Sequence, residues 1–217
     1  IHVSMTAHSE PMTTLRLDAA DPAAIAKVAD LLRRGLPVVF PTDTVYGVGV
    51  LPFDAAALAR LYEAKGRPAE KGIPVLLGDV ADVAHVAGVI PLAAAALMAH
   101  FWPGPLTLVV PRRAGLPANL SPDDTVAVRV PDHAVARALI RAAGGAVAAT
   151  SANVSGQPPA RSADEVLAEL GGRVAAVLDD GLSPGGVAST VVDCTTERPV
   201  VLRVGPLSAA DLGLEAS

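Results

Sequence analysis

Strand-length apolar runs recur along the chain, each closed by a proline or a polar cluster. They are "VVF" ahead of "PTDTVYGVG", then "IPVLLGD", "PLTLVVP", "TVAVRVP", "AVAAT", "VAAVLDD", "STVVDCT" and "VVLRV". Runs this short, bounded by residues that cannot extend a ladder, are strands rather than helices. Helix signals fill the gaps between them. Asp21-Pro22 reads as N-cap and first turn, with Ile25, Val28, Leu31 and Leu32 on one face and Gly35 as the stop. Asp54 opens a second helix through Leu58, Leu61 and Tyr62 that ends near Lys65-Gly66. Pro91 opens an alanine-rich helix reaching Trp102, Asp132 one through "HAVARALIRAAGG", and Ser162 with Glu165 forms a capping box before "VLAEL". Ser208 begins a short terminal helix. Alternating helices and strands with a strand-rich last third predict an α/β fold with a mixed sheet. There is no repeat, low-complexity tract or long linker, so the expectation is a frayed N-terminus at 1–13 and one domain over 14–217.

In a chain of 217 residues, an apolar fraction of 51% suffices for one core, while aromatics at 3% leave packing to small aliphatics. The longest apolar stretch, "IPLAAAALMAHFW", is interrupted by Pro91, His100 and Pro103, so no membrane span is expected. The N-terminal residues lack a basic start and an apolar signal core. Cys194 is the single cysteine, which forbids an internal disulfide and gives no zinc pattern. Together these point to the cytoplasm. The net charge of −5 argues against a surface coated by nucleic acid, although Lys65, Arg67 and Lys71 leave room for a local basic groove or a solvated loop.

Common catalytic signatures fail on inspection. Neither Lys65 nor Lys71 has the glycines of a phosphate-binding Walker loop, and Gly47-Val48-Gly49 is followed by Pro52 where a dinucleotide fingerprint needs its third glycine. "GLSPG" at 181–185 matches a serine nucleophile elbow, but Pro184 has no N–H for the oxyanion hole and a strand follows. The five histidines form no ligand pattern.

What remains is a set of polar clusters at strand ends: Thr42-Asp43-Thr44-Val45-Tyr46, Lys65-Gly66-Arg67-Pro68, Thr150-Ser151-Ala152-Asn153 and Ala188-Ser189-Thr190. Open α/β sheets gather ligands in the crevice beyond strand ends. Arg129 in "AVRVP" and Arg203 in "VLRVG" lie inside apolar strands, where a guanidinium needs an anionic ligand or an internal carboxylate. The residues alone lead to an α/β protein with an anion-binding crevice suited to a nucleotide.

The ordered blocks "PTDTVYGVG", "KGRP", "FWPGPLTLVV", "VAVRVPDH", "ATSANVSG", "STVVDCT" and "VLRVGPL" resemble the YrdC-like family, the threonylcarbamoyl-AMP synthases, over about residues 24–208. The resemblance implies a single twisted mixed sheet with flanking helices around a large basic cavity, in the short form without a C-terminal extra domain. It implies an enzyme, a nucleotidyltransferase that joins L-threonine, bicarbonate and ATP into threonylcarbamoyl-AMP and pyrophosphate. A partner transferase complex would pass the group to tRNA, with weak RNA contact also described for the family. Carried over by position, Thr42, Thr44, Tyr46, Arg129 and Ser189 would face L-threonine. Arg67, Lys71, Thr125, Ser151, Asn153 and Arg203 would face ATP, with Lys65 and Arg67 positioning the reactants. The threonine N-carboxylate would attack the α-phosphate, so no protein nucleophile is implied, and Mg²⁺ would arrive on the triphosphate instead of in a protein cage. Two other readings are a carbamoyltransferase-type domain and a double-stranded RNA-binding module. The chain departs from many relatives at Ala188 (glutamate), Val204 (proline) and Leu76 (histidine in some).

Overall fold

The alternation of side chains along each strand sets the layering. In a computed structural model describing residues 13–68 and 71–214, consecutive residues of "VVF", "VLL" and "AVAA" go to opposite sides of the sheet. Val39, Val48, Val75, Leu77, Ala146 and Ala148 join one core cluster, whereas Val38, Phe40, Leu76, Val147 and Ala149 join the other. This is the period-two pattern of a sheet covered on both faces.

The strands are β1 (Leu15–Asp18), β2 (Val38–Phe40), β3 (Gly47–Val50), β4 (Val75–Leu77), β5 (Leu106–Pro111), β6 (Thr125–Arg129), β7 (Ala146–Ser151), β8 (Ala176–Asp179), β9 (Thr190–Asp193) and β10 (Val200–Arg203). They form one sheet in the order β1-β8-β2-β3-β7-β4-β6-β5-β9-β10. The sheet is mixed, as expected: β8 runs parallel to β1 and β2, β4 to β6 and β5 to β9, and the remaining pairs are antiparallel.

Five α-helices flank the sheet among the described residues: α1 (Pro22–Arg33), α2 (Ala55–Lys65), α3 (Leu92–Phe101), α4 (Ala134–Ala142) and α5 (Ala163–Leu170). Val28 and Leu32 of α1 and Leu139 and Ile140 of α4 cover one side of the sheet, each fully buried. Leu58 and Leu61 of α2, Leu97 of α3 and Val166 of α5 cover the other. Each such large aliphatic contributes on the order of 2 kcal/mol, so the two layers supply the main driving force for folding.

The helix starts follow the cap residues. Asp21 accepts from the N–H of Ala23 at 2.9 Å, Asp54 from Ala56 and Ala57 at 2.8 and 3.1 Å, and Ser162 from Glu165 at 3.2 Å. Glu165 accepts from Arg161 N–H at 2.7 Å, one residue before the N-cap, so the reciprocal half of the expected capping box is displaced. Gly66 stops α2 with φ 58°, a left-handed conformation that a side chain would strain.

Four segments depart from the expectation. β1 lies between the expected terminus and the first helix, where no element was assigned, and β3 is a strand where two glycines suggested a turn; Gly47 and Gly49 belong to an interior strand. Val80–His85 forms a 3₁₀ helix that apolar spacing did not announce. The terminal helix expected from Ser208 is a set of turns. Ser208 and Asp211 bond each other through N–H, hydroxyl and carboxylate, and Gly213 at φ 66° closes the segment before a helical turn can propagate. Of the frayed N-terminus expected at 1–13, residues 1–12 lie outside the described residues. Among the described residues, no helix is long and apolar enough to cross a membrane.

Candidate functional site

β2 ends at Phe40 and the chain must return antiparallel as β3, so residues 41–46 fold back on themselves. Thr42 organises that return. Its hydroxyl accepts from the N–H groups of Thr44 and Val45 at 3.1 and 3.2 Å and donates to the carbonyl of Val45 at 2.6 Å. Hydroxyl side chains stabilise turns by this local competition with the backbone. The turn brings Thr42 and Thr44 against the ends of β7 and β6, where an open pocket of about 590 Å³, part of it solvent at the mouth, is formed.

One wall of the pocket is polar: Thr42, Thr44, Thr107, Ser189, Arg129 and Arg203. The lining also has an apolar part, made by Pro74, Leu76 and Ala149, with Ser151 at the end of β7. Leu76 is the register partner of Arg129 across β4 and β6, and it continues the cluster packed beneath α1 and α4. Ser189 and Thr107 share a 2.7 Å hydroxyl contact, and Arg203 donates to the Ser189 carbonyl at 3.0 and 2.8 Å and to its hydroxyl at 3.3 Å.

The two strand arginines differ in exposure: Arg129 is buried, whereas Arg203 lies on the exposed edge strand β10. Arg129 is 5% exposed. Its Nη2 meets Asp43 Oδ1 at 2.5 Å, Nη1 donates to Thr44 Oγ1 at 3.0 Å and Nε to the Gly104 carbonyl at 2.9 Å. Burial lowers its pKa, Asp43 opposes that shift, and Arg203 adds to it, which places the two guanidinium groups within range of each other's charge. The internal carboxylate is therefore realised at Arg129. No carboxylate pairs with Arg203 among the described residues; the residue is exposed, and partial desolvation of its guanidinium lowers its pKa.

Lys65 lies beside the pocket and does not line it. It is 1% exposed, and its ammonium donates to the carbonyl of Ser151. Burial, assisted by the charge of Arg67, pulls its pKa from 10.5 to about 8, against a weaker opposite pull from Glu169. Arg67 is turned to the carbonyls of Lys71 and Gly72 at 3.3 and 3.0 Å, and Lys71 is exposed. Asn153 donates from Nδ2 to Val154 and Gln157 carbonyls at 2.8 Å each, while its enclosed Oδ1 has no partner.

The structure thus gathers seven of the sequence candidates on one pocket: Thr42, Thr44, Tyr46, Arg129, Ser151, Ser189 and Arg203. Lys65 touches it through Ser151, whereas Arg67, Lys71 and Asn153 lie outside its lining. Thr125 stands at the other end of β6, roughly 13 Å from Arg129 at about 3.3 Å per residue. The lining holds two cations among hydroxyls and aliphatics, so the expected large basic cavity is narrower in charge than the resemblance implied. Tyr46 lines the pocket, but its hydroxyl is committed, donating to Gly181 O at 2.7 Å and accepting from Asp180 N–H at 3.1 Å. Thr107 was missed. Its signal is a hydroxyl inside "PLTLVVP" between leucines, a polar group at a position that is 3% exposed. Ser183 of "GLSPG" is buried, and its hydroxyl has no partner and so no adjacent base.

Comparisons with known proteins identify the family. The chain is 43% identical over 200 residues to the threonylcarbamoyl-AMP synthase of Bacillus subtilis (strain 168), covering 90% of this chain and 57% of that protein. It is 38% identical over 185 residues to the threonylcarbamoyl-AMP synthase of Halorhodospira halophila, covering 85% of this chain and 91% of the relative. The crystal structure of Pyrococcus abyssi Sua5 complexed with L-threonine superposes with a TM-score of 0.87 at 37% identity, covering 93% of this chain and 60% of that one. The chain therefore spans little more than half the length of some of the relatives it matches. The family model described as Telomere recombination matches residues 30–205, and the chain belongs to the Sua5/YciO/YrdC family.

Proposed function

We propose that this chain forms threonylcarbamoyl-AMP and pyrophosphate from L-threonine, bicarbonate and ATP, a nucleotidyl transfer feeding tRNA modification. The observation that carries the reading is the pairing of Arg129 and Arg203 at one pocket whose lining also has an apolar part. A guanidinium, hydroxyls and aliphatic carbon together suit a small amino acid with a hydroxyl and a methyl group. The relative whose crystal structure holds L-threonine supports the same assignment.

Arg129 binds the threonine carboxylate, with Thr42, Thr44 and Ser189 around the remainder; Tyr46 acts by holding the neighbouring chain. Arg203 and Ser151, with Lys65, Arg67, Lys71, Thr125 and Asn153 beyond the lining, serve the ATP side. The buried ammonium of Lys65, with spare N–H donors, suits phosphate oxygens. Mg²⁺ would enter with the triphosphate as part of the substrate.

The reaction asks for two anions, an N-carboxylate and a triphosphate, to approach each other. Catalysis then consists of positioning and charge stabilisation by fixed cations, worth several powers of ten without a protein nucleophile. The product would pass to a separate transferase in the cytoplasm. The deciding measurement is pyrophosphate release by the purified chain with each substrate omitted in turn. Release that needs both threonine and bicarbonate is expected, and release indifferent to threonine would overturn the reading.

A further inference from the structure

Asp43 lies next to the pocket without lining it, and Arg129 stands between them. A guanidinium has five N–H donors. Three of those on Arg129 are taken, by Gly104 O, Thr44 Oγ1 and Asp43 Oδ1, which leaves one on each terminal nitrogen. Asp43 is itself held: a Cβ on Gly185 would come within 2.7 Å of the Asp43 carbonyl, so residues 185–186 press on this backbone, and Gly186 N–H bonds Thr44 O at 2.7 Å.

Hydrogen-bond polarity adds a second constraint. Thr42 has one hydroxyl hydrogen, and it goes to Val45 O at 2.6 Å. Thr42 therefore does not donate to Thr44 in the 3.0 Å contact between their hydroxyls, and its two lone pairs already receive the N–H groups of Thr44 and Val45. With one lone pair receiving Arg129, Thr44 Oγ1 keeps a second lone pair that can accept from a ligand. Beside two free guanidinium donors there is thus an acceptor, and behind them a carboxylate that cancels the arginine's charge.

We propose that Asp43 is a positioning residue that makes this end of the pocket selective for a zwitterionic amino acid over a simple carboxylate. The inference rests on the threonine reading above. A site holding Arg129 alone would attract any small carboxylate. With Asp43 in place, a bare carboxylate gives the buried Arg129–Asp43 pair one excess negative charge, which among the lining residues only the exposed Arg203 opposes and the low-dielectric surrounding penalises. An ammonium on the same ligand restores the balance and finds the Thr44 lone pair. Asp43 acts through Arg129 and through its charge, so removing the charge should change which ligands bind as well as how tightly.

The test compares L-threonine with 3-hydroxybutanoate, its skeleton without the amine, by calorimetric titration of the full chain and of Asp43→Asn and Asp43→Glu. The ratio of the two affinities is the readout, because it is independent of the folded fraction. The unsubstituted chain should favour threonine by at least about 30-fold. Asp43→Asn should lower that ratio by 10-fold or more, through weaker threonine and equal or tighter hydroxybutanoate binding, and Asp43→Glu should restore part of it. An unchanged ratio in Asp43→Asn, whether both ligands weaken together or neither does, would overturn the proposal. Failure of the unsubstituted chain to bind threonine would instead remove the functional reading beneath it.

Discussion

The ammonium of Lys65 donates to the carbonyl oxygen of Ser151, joining the last turn of α2 to the C-terminal end of β7 across 86 residues of sequence. A charge enclosed this far, with only a neutral oxygen as its hydrogen-bonded partner, is held at a cost. Holding its proton below its folded pKa of about 8, against 10.5 in the unfolded chain, costs about 3 kcal/mol. An oligoanion would offset that cost on binding, whereas the empty protein carries it.

Replacing Lys65 by methionine, similar in length and without charge, is therefore expected to raise the melting temperature of the ligand-free protein by several degrees at neutral pH. The same substitution should reduce threonine-dependent pyrophosphate release by at least about 100-fold. Thermal denaturation and the pyrophosphate assay on one preparation check both halves. A destabilised Lys65→Met would show that the ammonium contributes net stability through Ser151.

The pH dependence has a definite sign. Between about 8 and 10.5 the unfolded chain holds the Lys65 proton and the folded chain has released it, so stability due to this group rises with pH across that window. Nucleotide binding should move the other way, since the phosphates favour the protonated amine. The dissociation constant for ATP is expected to increase as pH rises from 7 through 9, by up to about tenfold per pH unit above 8. Isothermal titration at several pH values checks this, and Lys65→Met should flatten the slope.

Tyr46 supports the pocket from behind. Loss of its hydroxyl in Tyr46→Phe strands the Gly181 carbonyl and the Asp180 N–H, at a cost of about 1–2 kcal/mol. These residues begin the segment that ends at Ser189 in the pocket, so the threonine KM should rise severalfold while the ATP KM stays nearly constant. A parallel rise in both constants would place the effect elsewhere.

Away from the pocket, Asp79 accepts two bonds from Arg141 and one from Arg137, tying the end of β4 to α4. These bonds hold its pKa well below the ordinary carboxylate value of 3.8. Its contribution is fully present above that value and is lost as pH falls through the depressed folded pKa. Asp79→Asn should melt lower than the parent at pH 7, and the gap should close under strongly acidic conditions, as followed by circular dichroism.

The parts of the fold that were legible are those where one local rule acts alone. Asp21, Asp54 and Ser162 each placed a helix start, because a cap is satisfied within three residues. At the pocket, Arg129 and Arg203 stood out because a guanidinium in an apolar strand demands a partner. What the local pattern did not carry was the choice of partner: Asp43 for Arg129 and Ser151 for Lys65 each lie 86 residues away, and Ser189 reaches Arg203 from the neighbouring strand β9. β3 was missed for a related reason. A Gly-Val-Gly-Val segment has no local preference for a strand and reads as a turn, and only its neighbours on both sides make it one.

Those neighbours also explain why glycine stands at position 49. A Cβ there would lie 2.7 Å from Val147 Cγ1, 2.8 Å from the Ala148 carbonyl and 3.1 Å from Ala149 Cβ. The conflict is with β7 itself, which pairs Ala149 with Gly49 and continues to Thr150 and Ser151 at the pocket. The carbonyl cannot move away without breaking the ladder, so β7 would have to shift as a unit. Gly49→Ala is expected to cost about 1–3 kcal/mol or more, as overpacking of an ordered core does. Because the shift would propagate to Ser151 and from there to Lys65, nucleotide affinity should fall together with stability. Gly47→Ala is the internal control: its Cβ would find nothing nearer than 3.7 Å, so it should be tolerated with less than about 1 kcal/mol lost. Equal melting temperatures for the two variants would mean that β3 and β7 are not packed as closely as these distances require.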